Sequence, residues 1–234
     1  MSDRRISVIV PVYNGAAYLN DTIATILRQT CAAHEIVIVD DGSTDGSRQI
    51  AEAYLPVVRY LRKENGGAAS ARNLGIANAT GDFLAFIDQD DLWHEEKLAR
   101  QMACFEAEPA LDLCYTLVDL FWESGLAEEE RAYEGHRRTR HVPGYVMPTL
   151  LGRRAAFDRV GALDESLIFG DGSDWAMRAM DAGLHIKLLP EVLLYHRMHK
   201  NNLTRDRERS QDEFLRIVRA RLDRLRKDGK RQGA

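Results

Sequence analysis

Asp82-Phe-Leu-Ala-Phe-Ile-Asp-Gln-Asp-Asp-Leu-Trp93 joins a short apolar run to a group of carboxylates that directly follows it. A run of this length predicts a buried strand over Phe83–Ile87, because strands covered on both faces are apolar throughout. If the strand continues, Asp88 and Asp90 point to the same side, about 6.6 Å apart. The stretch therefore predicts a strand of an α/β sheet with a polar site at its end.

The paired aspartates have two interpretations. Mg²⁺ and Mn²⁺ prefer oxygen ligands and often take one or two carboxylates, leaving their other positions to substrate phosphates. One aspartate would then bind the cation and the other a metal-bound water or a ligand hydroxyl. Alternatively, the acidic residues form a strand-to-helix turn and cap the helix that contains Glu95, Glu96 and Leu98. These residues alone leave both interpretations open.

The composition is that of an ordinary soluble globular protein. The chain has 234 residues, of which 45% are hydrophobic and 29% are charged, and this predicts one domain with a sizeable core. A net charge of −4 argues against nucleic-acid binding. Cys31, Cys104 and Cys114 lack metal-type spacing and predict reduced thiols. With neither a secretory signal nor an apolar stretch of ~20 residues, we expect a cytoplasmic protein.

Short apolar runs alternate with amphipathic segments through the first half of the chain, which predicts an α/β domain with a mostly parallel sheet flanked by helices. The predicted strands are Ile6–Val10, Glu35–Val39, Val57–Leu61, Phe83–Ile87 and Leu111–Val118. The predicted helices are Ala17–Thr30, Asp45–Tyr54, Ala68–Asn78 and Glu95–Glu106.

The pattern weakens after the fifth strand. Residues 121–148 carry no clear period and are interpreted as a loop or insertion near a binding site. Regular segments return at Thr149–Arg153 and continue to the C-terminus. They predict helices at Ala155–Val160 and Asp174–Ala182, and strands at Ile186–Leu189 and Val192–Tyr195.

The segment Arg205–Arg231 predicts a charged amphipathic helix, since Phe214, Val218, Leu222 and Leu225 recur at helical spacing. It contains eleven Arg and Lys residues against six Asp and Glu, a local net charge of +5. One interpretation is a helix docked on the domain with a solvated face. The other is a helix that contacts an anionic membrane surface or a partner protein, which would place the protein peripherally on the inner face of a membrane.

Polar clusters follow three predicted strands: Pro11-Val-Tyr-Asn-Gly15, Asp40-Asp-Gly-Ser43 and Asp88-Gln-Asp-Asp91. Each cluster has a local explanation, because Asn, Asp, Gly and Ser favour turns. In a parallel sheet, however, all three would open onto one crevice. The clusters together predict a nucleotide-diphosphate site. They supply an aromatic ring to stack on a base, carboxylates to accept hydrogen bonds from a base or ribose, and carboxylates to bind a cation on a diphosphate.

These motifs resemble, in order and spacing, the family 2 glycosyltransferases of the GT-A fold. The resemblance covers residues 5–204, and its further motifs are Asn65-Gly-Gly-Ala-Ala-Ser-Ala-Arg-Asn73, Gly161-Ala-Leu-Asp-Glu-Ser-Leu167, Gly172-Ser-Asp-Trp175 and Tyr195-His-Arg-Met-His199. It implies inverting transfer of a sugar from a nucleotide diphosphate sugar, UDP-linked by preference, with Mg²⁺ or Mn²⁺. The acceptor would be a lipid-linked saccharide, a polysaccharide or a peptide.

The resemblance also implies roles for residues on the donor side. Pro11 and Tyr13 would line the base. Asp41 would bond the base or ribose, with Asp40 beside it, and Arg72 matches a position near the base or diphosphate.

Further roles implied by the resemblance concern the metal and the chemistry. Asp90 would be the direct metal ligand, Asp88 the ribose or outer-shell group, and His199 a residue near the diphosphate and a candidate ligand. Asp174 matches the catalytic base, although a first-turn cap explains it too. The family usually has Glu-Asp before the Trp, whereas this chain has Ser173 before Asp174.

The resemblance predicts a glycosyltransferase domain over residues 1–204, with a nucleotide-sugar-binding half (1–118), an acceptor-binding half (119–204) and a basic helical extension (205–234). Two alternatives remain. A sugar-phosphate nucleotidyltransferase would normally carry a Gly-rich basic loop after the first strand, and Pro11–Gly15 holds no basic residue. A non-catalytic binding subunit would have little need of Asp88, Asp90 and Asp174 together.

Overall fold

The structure is a computed structural model, and it describes residues 4–133, 142–143, 145–202, 205 and 207–232. The first half alternates strands and helices as predicted. Its elements are β1 (Ile6–Val12), α1 (Leu19–Leu27), β2 (Glu35–Asp40), α2 (Ser47–Glu52), β3 (Val58–Arg62), α3 (Ala68–Asn78) and β4 (Phe83–Phe86).

The second half is less regular. Its elements are β5 (Leu92–Trp93), α4 (Lys97–Ala107), β6 (Leu113–Trp122), α5 (Ala127–Tyr133), β7 (Val142–Pro143), β8 (Leu151–Arg153), α6 (Arg154–Val160), α7 (Asp171–Asp181), β9 (Ile186–Met198) and α8 (Arg207–Gln232). A 3₁₀ turn at Met147–Thr149 precedes β8.

All these strands form one sheet in the order β3-β2-β1-β4-β8-β6-β9-β5, with β7 paired to β6. The strands β1 to β4 are mutually parallel, as predicted. Beyond β4 the sheet is mixed, because β8 runs antiparallel to both β4 and β6. The predicted α/β fold with flanking helices and a C-terminal helix is confirmed.

The core fills both faces of the sheet. On one face, Val8 and Val10 of β1 belong to a cluster with Ile23 of α1. On the other face, Ile9 packs with residues of α3, α6 and α7. Gly75 allows α3 to approach β1 closely, since a Cβ there would lie 2.4 Å from Ile9 Cγ2. Burial on both faces explains why β1 reads as a continuous apolar run.

Several predicted boundaries differ from the structure. The segment 121–148 is not simply a loop, because β6 extends to Trp122 and Ala127–Tyr133 forms α5; residues 134–141 and 144 lie outside the described part. The two strands predicted near the end are one strand, β9, whose long parallel pairing with β6 absorbs register shifts at Thr116–Val118. The short strand β5 was not predicted, because two residues carry no period.

Helix α8 is docked on the domain. Ile217 is buried on the domain side of α8. Glu213 accepts hydrogen bonds from the backbone amides of Ile168 and Phe169, and Arg221 forms an ion pair with Asp181 of α7. Among the described helices, none combines the length and apolar character that a bilayer crossing needs.

One buried cation stands out in the core. Lys97, the first residue of α4, is fully buried, and its Nζ donates to Gln101 Oε1 at 2.8 Å and lies 4.2 Å from the centroid of the Trp93 ring. Burial lowers the pKa of the Lys97 ammonium to about 7 from an ordinary 10.5. The folded protein therefore releases this proton at a much lower pH than the unfolded chain.

We predict that the stability of the parent depends on pH through Lys97, and that the Lys97→Met variant lacks this dependence. Between pH 7 and 10.5 the unfolded chain holds a proton that the folded state has lost, so the stability of the parent rises with pH in this window, by up to about 1.4 kcal/mol per unit. The variant lacks this rise. In urea unfolding above pH 7, the free energy of unfolding of the parent should rise relative to that of Lys97→Met. For the control Lys200→Met, which replaces an exposed lysine, the difference from the parent should stay constant with pH. Parallel curves for Lys97→Met would mean that Lys97 is not a buried titrating group.

Candidate functional site

The candidate site lies at the edge of the sheet where β1, β2 and β4 end. The strand β1 pairs in parallel with β2 on one side and β4 on the other. The three polar clusters predicted at these strand ends are therefore neighbours. Ligands of α/β sheets bind in a crevice of this kind.

The end of β1 presents an exposed aromatic ring on a fixed backbone. Tyr13 is 50% exposed. Its amide donates to Gln89 Oε1 at 2.7 Å, and Gln89 Nε2 donates to the Tyr13 carbonyl at 3.0 Å. Pro11 is buried within β1, opposite Val39 of β2. The ring of Tyr13 is thus open to stack on a planar ligand, while Pro11 shapes the floor behind it.

Asp40, at the end of β2, holds its own turn together. Its Oδ1 accepts from the Ser43 amide at 2.7 Å, and its Oδ2 accepts from the Tyr60 hydroxyl at 2.5 Å. The residue is almost completely buried. Both carboxylate oxygens of Asp40 thus have donors within the protein, and its predicted place in the nucleotide site stays a prediction.

Asp41 organises the loop that leads into α3. Its carboxylate accepts from the amides of Gly66 and Gly67, at 2.9 and 2.7 Å, and from Lys63 Nζ at 2.8 Å. Gly67 has φ +88, a left-handed conformation that glycine adopts without strain. Both carboxylate oxygens thus have donors within the protein, and the predicted contact with a base or ribose stays a prediction.

Arg72 of α3 joins the end of β4 to the start of α7. Its Nη2 lies 2.5 Å from Asp88 Oδ1, and its Nη1 lies 2.5 Å from Asp171 Oδ2. Burial opposes the charge of the guanidinium, but the two carboxylates raise its pKa. Its Nε is buried and has no hydrogen-bond partner among the described residues. The site therefore holds a permanent cation with an unused donor.

The carboxyl of Asp88 has a raised pKa. Burial is the largest cause, and the neighbouring Asp90 adds to it, although Arg72 acts in the opposite direction. Negative charge is thus concentrated at the end of β4 beyond what Arg72 balances. A bound cation would relieve this repulsion.

His199 and Asp90 are brought together, as the predicted metal pair requires. His199 Nε2 lies 2.9 Å from Asp90 Oδ2, and both side chains are largely buried. His199 Nδ1 accepts from the Asn201 amide at 3.2 Å, so the neutral ring carries its proton on Nε2 and donates to Asp90. A cation could bind His199 Nε2 only if that proton left, and Nδ1 cannot take it while it accepts from Asn201. These contacts therefore fit Asp90 as a metal ligand better than His199.

Asp91 anchors the same turn to β9. It is buried, and its Oδ1 lies 2.7 Å from His196 Nδ1. Burial raises the pKa of Asp91 to about 6, whereas the pKa of His196, despite its burial, is raised to about 9 by Asp91. The pair is therefore ionic at neutral pH and ties β9 to the turn after β4.

Asp174 is not brought to this cluster. It is buried in the first turn of α7, with Arg178 Nε 2.8 Å from its Oδ2 and Arg224 Nη2 3.5 Å from its Oδ1. Asp171, three residues earlier in the same turn, is the α7 carboxylate that reaches the site through Arg72. Asp171 was not predicted as a site residue, because the predicted helix began at Asp174, three residues after the observed start of α7. The glycine at position 170 was the sequence signal for the earlier start, since glycine readily adopts the left-handed φ of +72 found there.

Comparison with known proteins assigns the family. The chain matches the family Glycosyl transferase family 2 over residues 7–163. This chain belongs to that family. The resemblance predicted from the motifs is thereby confirmed, and the nucleotidyltransferase alternative loses its support.

Relatives of this chain include an uncharacterized glycosyltransferase of Nostoc sp., 32% identical over 85% of this chain and 66% of that protein. The putative teichuronic acid biosynthesis glycosyltransferase TuaG of Bacillus subtilis is 40% identical over 51% of this chain and 49% of TuaG. The crystal structure of S. aureus TarS in complex with UDP-GlcNAc has a TM-score of 0.70 at 24% identity, over 86% of this chain and 61% of TarS. The chain thus spans about half to two thirds of these relatives, and the structural match supports the GT-A fold.

We predict that Asp41 contributes to stability as well as to any nucleotide contact. The Asp41→Ala variant would leave the amides of Gly66 and Gly67 without their acceptor, at a cost of about 1–3 kcal/mol. Urea unfolding measures that loss, and calorimetry with UDP measures affinity on the same samples. The exposed Glu64→Ala in the same loop is the control and should change neither. An Asp41→Ala variant with parental stability but weakened UDP binding would show that the carboxylate serves the ligand alone.

Proposed function

We propose that this glycosyltransferase moves a sugar from a UDP-sugar to an acceptor hydroxyl in one inverting displacement assisted by Mn²⁺ or Mg²⁺. The observation that carries the proposal is the ion-pair chain from Asp88 through Arg72 to Asp171, with two contacts of 2.5 Å. It places the donor-side turn and an α7 carboxylate on opposite sides of one fixed cation. An inverting displacement needs such an arrangement, with leaving-group stabilisation on one side and a proton acceptor on the other.

The donor side has groups for each part of a nucleotide diphosphate sugar. The exposed ring of Tyr13 suits a base, and the loop held by Asp41 lies beside the end of β2. The positive charge of Arg72, held between Asp88 and Asp171, suits the neighbourhood of a diphosphate. TarS, which shares the fold, has been crystallised with UDP and with UDP-GlcNAc, and this supports a uridine donor.

The metal proposal rests on Asp90. Among the described residues no three His, Cys, Asp or Glu side chains gather as a metal site, so the protein would supply Asp90, with His199 adjacent and Asp88 in the outer shell. Mg²⁺ and Mn²⁺ commonly use few protein carboxylates together with substrate phosphates. When bound, the cation would offset charge on the departing diphosphate.

For the proton acceptor, the contacts favour Asp171 over Asp174. Asp171 keeps one carboxylate oxygen, Oδ1, outside its ion pair with Arg72. Asp174 instead pairs one oxygen with Arg178 and the other with Arg224. In this proposal Asp171 takes the proton of the acceptor hydroxyl as the bond to the sugar forms, and Asp174 fixes α7 in place.

We predict that two matched variants of α7 differ clearly in turnover. Asp171→Asn should lower turnover by about 10²–10⁴-fold, because a positioned base contributes that much. Asp174→Asn should retain most turnover. Both variants should lose stability, because Arg72 loses a counter-charge in the first and Arg178 and Arg224 lose theirs in the second, so turnover is the measurement that separates them. Turnover is followed as UDP release, with water as the acceptor, from the nucleotide sugar that raises the melting temperature most.

The two variants control for each other, since both remove one charge from the same helix turn. Circular dichroism and UDP calorimetry confirm that each variant is folded and binds nucleotide. If Asp174→Asn loses turnover and Asp171→Asn keeps the parental turnover, the catalytic base is Asp174, as the motif predicted. Parental turnover in both would remove the catalytic role of α7.

We predict that UDP affinity depends on a divalent cation through Asp90. Calorimetry in Mn²⁺ should show UDP binding at least about tenfold tighter than in EDTA, which corresponds to about 1.4 kcal/mol. The Asp90→Asn variant should bind equally in both buffers. Asp112, which lies at the start of β6 away from the site, provides the control Asp112→Asn, which should keep the parental response to Mn²⁺. Equal affinity of the parent in EDTA and Mn²⁺ would contradict the metal role.

A further inference from the structure

The docked helix α8 has a second face that the domain does not cover. Glu213, Ile217 and Arg221 point to the domain and bind the loop before α7 and α7 itself. The side next to this docked face carries three large apolar residues that face solvent: Phe214, 52% exposed, Leu215, 51%, and Leu222, 48%. Single exposed apolar side chains are common on protein surfaces. They indicate a binding surface only if they lie together on one face of the helix.

These three residues form one stripe. Phe214 and Leu222 lie eight residues apart, with Val218, which is half-buried, midway between them. Spacings of four keep side chains on the same face of a helix. Leu215 and Leu222 are seven apart and continue the stripe on its other edge. The stripe extends along α8 for about 12 Å at the helical rise.

Positive charge borders one edge of this stripe. Arg219 is exposed four residues after Leu215, and Arg226 follows Leu222 by the same interval, so both arginines lie along the edge formed by Leu215 and Leu222. The Arg226 side chain is 76% exposed, and its ion pair with the exposed Asp223, at 3.7 Å, is a weak one in solvent. The segment 205–231 has a net charge of +5, although the whole chain is at −4. An apolar stripe bordered by arginines on an otherwise acidic protein is complementary to a surface that is apolar inside and anionic outside.

We propose that α8 is an interfacial helix that binds the surface of a lipid bilayer containing anionic lipids. Phe214, Leu215 and Leu222 would enter the boundary between headgroups and acyl chains, and Arg219 and Arg226 would contact the headgroup phosphates. A second copy of the chain fits this face less well. A symmetric pairing of two such stripes would bring the bordering arginines of both copies together.

The position of the stripe gives it a defined relation to the catalytic domain. Glu213, which precedes Phe214, holds the amide of Ile168, and the Ile168 side chain is itself exposed. That loop leads directly into Asp171. A bilayer bound by α8 would therefore lie beside the loop that carries the α7 carboxylate. The proposal concerns a surface and does not depend on the transfer reaction.

Vesicle co-sedimentation tests the proposal with the full chain. We expect the parent to bind vesicles of phosphatidylcholine with phosphatidylglycerol and to bind vesicles of pure phosphatidylcholine much more weakly. The Phe214→Gln/Leu222→Gln variant should lose at least about tenfold in affinity for the anionic vesicles, because it removes most of the buried apolar surface. The Arg219→Gln/Arg226→Gln variant should lose roughly fivefold for each arginine and become insensitive to salt.

The control is Leu27→Gln, which replaces a leucine that is 47% exposed at the end of α1, and it should bind like the parent. Sedimentation velocity and UDP calorimetry verify that each variant stays folded and keeps its nucleotide site. Equal binding of parent and Phe214→Gln/Leu222→Gln would overturn the proposal. So would a parent that ignores anionic vesicles but self-associates through this face, since the occupant would then be a second copy.

Discussion

The turn Asp88–Asp91 is the constraint on which the site depends, because each of its residues is bonded to a different part of the chain. Asp88 pairs with Arg72 of α3, and Gln89 holds the backbone of Tyr13. Asp90 meets His199, and Asp91 meets His196. Strand β4 ends two residues before this turn, so the carboxylates need not follow strand geometry. They point outward to separate partners, and this brings β1, α3 and β9 to one edge of the sheet.

The same physical rule governs the aspartates of this site. A buried carboxylate must be supplied with donors or opposite charge, because its desolvation is otherwise too costly. Asp40 and Asp41 meet that demand with backbone amides and the side chains of Tyr60 and Lys63. The buried acidic residues Asp40 and Asp41 therefore shape the loops of the crevice. Asp88 and Asp171 each pair with Arg72 through one carboxylate oxygen, and these are the carboxylates to which the proposed function assigns ligand contacts.

Helix α8 connects the proposed membrane surface with the catalytic side of the domain. One of its faces supplies Arg224 to Asp174 and Glu213 to the loop before α7. The start of α7 is therefore held partly by a helix that is distant in sequence. The neighbouring face is apolar and bordered on one edge by arginine. A helix with two such faces can hold the loop before α7 through its side chains and, in the proposal above, orient that loop toward a membrane surface.

The amino-acid sequence by itself determined the alternation of strands and helices, the parallel first half and the family. These features are local: apolar runs predict β1 to β4, and turn-forming residues mark their ends. It also predicted that the clusters of Tyr13, Asp41 and Asp90 open onto one crevice, because parallel strands share one edge. The resemblance to the family, and not the strand pattern, added Arg72 and His199 to that site. It did not reveal the short strand β5 or the single strand β9, whose limits are set by pairing with distant strands.

Only the tertiary structure decided what each carboxylate faces. Asp171 and Asp174 stand three residues apart in one helix turn. The pair of Asp174 with Arg178 is a local one, four residues apart on the helix, but Arg72 meets Asp171 and Arg224 meets Asp174 from distant parts of the chain. Arg72 and Arg224 lie about one hundred and fifty residues apart in the chain, and no local pattern encodes which of them a given aspartate will meet. Periodicity specifies which residues share a face. The partner of a buried charge is specified by the packing of whole elements, because that charge must be neutralised by whatever the fold brings within reach.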